Sequence, residues 1–188
     1  MLQRKRGLCA LLGGACMFVL TGCSGPADVV LPTATSTLGP TFDSEEEARV
    51  AADIAYANYF AATNRAGQSG GVDTSMLPAT STQEWLAHET DFFVGIVQMG
   101  RTQQGDATYD RLVLQQVTET KNSVFVTVYA CMDLSQVVTV DTSTGGNPLR
   151  PEALPMPVEV SLESSAEARN KLLVSSQSQW LGENFCQS

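Results

Sequence analysis

The chain predicts an α+β fold, with N-terminal helices packed on a curved antiparallel sheet. Three observations carry this expectation. Hydroxyl-x-x-acid capping patterns at Ser44–Glu47 and Ser81–Glu84 each precede a run with helical spacing. β-branched and aromatic residues then dominate the stretches after Gly100. A block of helices followed by a block of strands is the α+β arrangement. Residues 43–188 form a single domain, long enough for a proper core, and show no internal repeat.

The first helix starts at Ser44-Glu-Glu-Glu47, where three acids suit the positive end of the helix dipole. It continues through ARVAADIAYANYFAATNRAG, with Gly67 as its C′ residue. Val50, Ile54, Ala57 and Ala61 make one stripe, and Ala52, Tyr56, Tyr59 and Thr63 another. Two apolar sides predict deep packing. Residues 68–78 read as a loop. The second helix runs through WLAHETDFFVGIVQM to Gly100, with Trp85, Phe92 and Ile96 on one face and Leu86, Phe93 and Val97 beside them.

Strands follow. Residues 109–119 are the first, and Lys121-Asn122-Ser123 turn the chain. SVFVTVYACMDL is the best strand of the protein. Val124, Val126, Val128, Ala130 and Met132 face one way; Phe125, Thr127, Tyr129, Cys131 and Asp133 face the other. Apolar residues on both faces make it a central strand. QVVTVD (136–141) continues it after a break, and 142–157 is a Gly- and Pro-rich excursion. In PVEVSLES (157–164) the inward residues are Val158, Val160 and Leu162. KLLVSSQSQW (171–180) is its partner.

The N-terminus carries an address. Arg4, Lys5 and Arg6 precede an uncharged run from Gly7 to Leu20. A spanning helix needs roughly 20 apolar residues, so this shorter run reads as the core of a secretory signal. It ends in Leu20-Thr21-Gly22-Cys23, which resembles the lipobox of bacterial lipoproteins. In that family the cysteine thiol receives a diacylglyceryl group and the peptide is cut just before it. The resemblance implies a signal peptide over 1–22 and a lipid on Cys23. Two acyl chains hold a protein at a membrane without any span. The rival readings are a plain signal with Cys23 incidental, or a short uncleaved anchor. Residues 23–42, rich in Pro, Thr, Ser and Gly, read as a flexible tether.

Cleavage would remove three of the 11 basic residues, leaving 8 against 20 acids, a formal charge of 8 minus 20, or −12. That balance argues against nucleic acid as a partner, because phosphate binding needs a basic footprint. Five cysteines are present. Cys9 and Cys16 fall in the signal and Cys23 takes lipid, which leaves Cys131 and Cys186. An even pair in an exported chain reads as a disulfide. It closes a loop of about 55 residues, for which the chain-entropy model gives roughly 4 kcal/mol. Zinc is the rival, but two cysteines and one histidine are too few for an ordinary site.

With its lipobox, the CMDLS stretch (131–135), the late KLLVSSQSQW segment and a terminal cysteine, the chain is similar to a group of actinobacterial membrane-anchored lipoproteins. That group resembles the NTF2-like superfamily, the cone-shaped fold of SnoaL-type cyclases and ketosteroid isomerases. The resemblance implies a pocket between helices and sheet, a Cys131–Cys186 pair, and a place on the outer face of the cell membrane. One feature departs from the superfamily: residues 67–81 and 100–107 leave no obvious place for both a third helix and a first strand.

Superfamily enzymes use an Asp or His base, or a Tyr and acid pair, deep in the cone. The residues of these types here are His88, Asp91, Tyr56, Tyr59, Asp110, Tyr129 and Asp133. His88 is the single histidine and its ordinary pKa suits proton transfer. It lies on a surface-like arc with Glu89 and Asp91, however, and reads as a half-exposed helix histidine. Tyr56 and Tyr59 read as core residues with a wet hydroxyl, and Asp133 as a strand end or turn cap. No catalytic, cofactor or metal residue is assigned, and the chain lacks a nucleophile elbow, zinc motif, phosphate loop or EF-hand. The expectation is a non-catalytic lipoprotein domain binding a protein or a small apolar molecule. The alternatives are an isomerase- or hydrolase-like enzyme and a structural component with a filled cone. A cavity above about 300 Å³ with converging polar groups separates the first two from the third.

Overall fold

The computed structural model describes residues 35–37, 39, 41–142, 148–150 and 154–187. Cys23, the signal and most of the tether lie outside the described residues. The elements run β1 (Thr35–Thr37), α1 (Glu45–Gln68), a short 3-10 turn (Leu77–Ala79), α2 (Gln83–Gln98), β2 (Arg101–Gln104), β3 (Thr108–Glu119), β4 (Val124–Asp133), β5 (Val138–Asp141), β6 (Met156–Ser164) and β7 (Leu172–Gln179), with a final 3-10 turn at Phe185–Gln187. Two helices pack on antiparallel sheet, and the α+β class stands.

The main sheet has the order β1-β3-β4-β6-β7. All its pairings are antiparallel except β1 with β3. β4 is central, as its two-sided apolar pattern predicts. Val124, Val126, Val128 and Ala130 join Val158, Val160 and Leu162 of β6 in the core under α1. Tyr129 and Cys131, on the opposite face, pack with Phe185, Cys186 and Trp180. Cys131 and Cys186 stand at disulfide distance there, with Cα atoms 5.6 Å apart. β3 shifts register between Asp110 and Val113, where Arg111 adopts a φ of 51°, a bulge that bends the strand.

Several expectations change at the level of elements. Val50 and Ile54 of α1 are exposed, and the buried residues are Ala48, Ala52, Ala55, Tyr56, Tyr59, Phe60, Ala62 and Ala66. The sheet, α2 and the 3-10 turn all pack on the Ala52–Tyr56–Tyr59 side of α1, which leaves the Val50–Ile54 stripe on the outside. The C-terminus of α1 is closed by Gly70 and Gly71, at φ 68° and 85°, while Gly67 stays inside the helix. A Cβ on Gly71 would come 2.5 Å from the Phe93 carbonyl oxygen, so glycine is needed there for both its φ and its lack of a side chain. The cap of α2 is Thr82, whose side chain accepts from Trp85 N, not Ser81. Ser81 instead bridges to Val174 of β7, flanked by two backbone hydrogen bonds of 2.9 Å.

QVVTVD does not extend the central strand. Its β5 part pairs with β2 in a separate two-stranded sheet, and β2 occupies a stretch whose sequence shows no clear element. Residues before Asp43 also contact the body. Phe42 is 1% exposed, and Thr35–Thr37 pairs with Gln116–Thr118. The Glu119 carboxylate holds this entry, accepting from the backbone N–H groups of Gly39, Thr41 and Phe42 and from Arg169 at 3.3 Å.

Candidate functional site

A cavity of about 400 Å³ opens where α1 and α2 meet the β2–β5 sheet and the ends of β4 and β7. Its walls follow from helical spacing. Tyr59, Thr63 and Gly67 lie four residues apart on α1, and Trp85, Glu89, Phe92 and Ile96 recur on one stripe of α2. The rim is held by Asn64. Its side chain exchanges two 2.9 Å hydrogen bonds with the Ala107 backbone and accepts a third from Gln103 Nε2.

One end of the cavity is polar in an ordered way. Trp85 Nε1 donates to the Tyr59 hydroxyl at 3.2 Å, and that hydroxyl donates to Glu89 Oε1 at 2.7 Å. Glu89 is only 7% exposed. Burial raises its carboxyl pKa above the usual range, against the smaller lowering effects of the Tyr59 hydrogen bond and the His88 charge. Tyr59 is raised far beyond an ordinary phenol, first by burial and then by Glu89. It stays neutral and acts as a donor. The His88 ring is stacked on Trp85 with centroids 4.5 Å apart and is exposed.

The residues singled out in the sequence divide. Tyr59 and His88 reach the cavity with Glu89. Tyr56 is fully buried and donates to Gln177 Oε1 at 2.7 Å. Asp91 and Asp110 are exposed. Asp133 accepts from Ser135 N at 2.7 Å, the turn cap expected of it. Tyr129 faces the disulfide cluster. Glu89 is the residue that sequence reasoning placed on the surface and the structure buries. The signal was present: it stands four residues after Trp85 and four before Phe93, an acid on the apolar stripe.

Among the described residues no group of three or more His, Cys, Asp or Glu could hold a metal ion, and no helix is long and apolar enough to cross a membrane. No protein-family model matches the chain, and no curated protein does. Among solved structures, the intermembrane space region of the chloroplast protein ARC6 is similar at a TM-score of 0.55 and 15% identity, over 71% of this chain and 97% of that one. A conserved protein from Planctomyces limnophilus aligns at a TM-score of 0.41 and 11% identity, over 71% and 94% of the two chains. The first likeness shows a shared fold alone; the second is too loose to support an argument.

Proposed function

We propose that this chain is a lipid-anchored extracytoplasmic domain, of NTF2-like descent, that binds a small, largely apolar molecule between its helices and sheet. Cys23 carries the lipid and places the domain on the outer face of the cell membrane. The observation that supports binding is the cavity itself. It has the volume of a small-molecule site, with apolar walls and a few convergent polar groups, where a purely structural domain would be filled. Two variants test the two halves. A fatty-acid analogue should label the wild-type protein and not Cys23→Ala; label retained by that variant refutes the anchor. The fluorescent probe N-phenyl-1-naphthylamine should bind saturably to wild type. Thr139→Trp, which fills the cavity from β5, should weaken it at least about tenfold. Equal binding by both proteins contradicts the site.

A second reading has one observation behind it. Glu89 is a buried carboxyl with a raised pKa facing a cavity, the condition for acid–base chemistry. In that reading Glu89 moves the proton and Tyr59 supplies the fixed hydrogen bond. Binding is favoured because no second acid or base among the described residues stands in hydrogen-bond contact with Glu89 beside Tyr59.

A further inference from the structure

We propose that the Glu89 end of the cavity is a subsite for an ammonium group, and that the ligand is a small cationic amine with an apolar body. This rests on the binding reading above and names its ligand class.

A carboxylate offers about four acceptor positions, and among the described residues Glu89 receives one hydrogen bond, from Tyr59. The donors around it are already committed. The Trp85 indole N–H is directed at the Tyr59 oxygen, so the single phenolic proton points to Glu89 and cannot turn to a ligand. Gln177, from β7, accepts from Tyr56 through its side-chain oxygen, and its amide nitrogen lies 3.9 Å from the Met132 sulfur. His88 also lines the cavity, but its ring is stacked on Trp85 and makes no hydrogen bond to Glu89 among the described residues. Glu89 Oε2 is therefore left to whatever fills the cavity.

Charge decides the class of that occupant. A buried carboxylate is costly unless a cation pairs with it. The ion pairs among the described residues are Arg49–Glu46, Arg65–Asp73 and Arg169–Glu119, and none involves Glu89. Arg101 lines the far end of the cavity, past the C-terminus of α2. Neither basic side chain of the cavity, His88 or Arg101, forms an ion pair with Glu89 among the described residues, and an anionic ligand head would be repelled where Glu89 sits. Phe60, Phe93 and Ile96 supply the surface for an apolar body. The excess of acids over bases across the chain raises the local concentration of cations near it.

The test compares 2-phenylethylamine with 2-phenylethanol, a matched pair that differs in the charged head. Binding is measured by calorimetry on the full chain in neutral detergent, with detergent alone as the blank. Wild type should bind the amine at least about tenfold more tightly than the alcohol. Glu89→Gln should abolish that preference. If Glu89→Gln does not fold, the ¹³C carboxyl resonance of Glu89 in the wild type reads the same contact: the amine should move it and the alcohol should not. Equal affinities in wild type, or a preference that survives Glu89→Gln, overturn the ammonium subsite and leave the binding reading standing. Failure of both compounds to bind overturns the two together.

Discussion

Glu89 concentrates the chemistry of this protein in one side chain. Its neighbours Tyr59 and Trp85 form a one-way relay of donors that orients the carboxyl. The cost should be visible as pH dependence. The folded protein raises the carboxyl pKa from its ordinary 4.5, so the folded state holds this proton more tightly than the unfolded chain does. Stability from this group is then complete below about pH 4.5 and is lost as pH rises through the folded-state pKa. Urea unfolding of wild type and Glu89→Gln should show wild type losing ground to the variant as pH rises above about 4.5. His88, Tyr59 and Arg101 face the same space and are kept unchanged in both proteins. A flat difference, or one of opposite sign, would show that burial does not burden this carboxyl. Composition says nothing of such a residue; its place on the Trp85–Phe93 stripe does, once an acid at a core position is treated as a signal rather than an interruption.

Elements whose pattern is local were legible in the sequence, and those defined by distant partners were not. The alternation of β4 and β6 predicts their burial because each strand meets the core on a fixed face. Both helix starts were readable from hydroxyl caps, though the second was misplaced by one residue because Ser81 is captured by Val174. β2 is polar and four residues long; only its pairing with β5 makes it a strand. The same holds for the entry of the chain into the domain. Glu119, with a side chain 5% exposed, gathers three backbone N–H groups that lie about 80 residues earlier, and no local pattern announces that contact. Glu119→Ala should cost roughly 2 kcal/mol and should release the Phe42 amide to hydrogen exchange at neutral pH. Unchanged stability and unchanged protection at Phe42 would mean that β1 and the core side chain of Phe42 hold the entry without the clasp.

Across the molecule, the two faces of the sheet are divided between tasks. The face under α1 carries the main core and, at one end, the cavity. The opposite face carries the Cys131–Cys186 cluster, which ties the C-terminus to the central strand. The Glu119 clasp and the cavity lie at opposite ends of the β3–β4 ladder, since Glu119 pairs with Val124 while Ala107 and Met132 line the cavity. Eight residues of strand separate those ends, roughly 26 Å at 3.3 Å per residue. If Cys23 carries the lipid proposed above, a tether entering at the clasp would leave the cavity end of the body clear of it. The two tryptophans report separately on the two faces, Trp85 from the cavity and Trp180 from the disulfide cluster. Titrating the ¹⁵N-labelled full chain with N-phenyl-1-naphthylamine and following both indole N–H signals tests the site most directly. The Trp85 signal should shift saturably while that of Trp180 stays fixed; a shift at Trp180 alone, or at neither, would contradict a ligand site between the helices and the sheet.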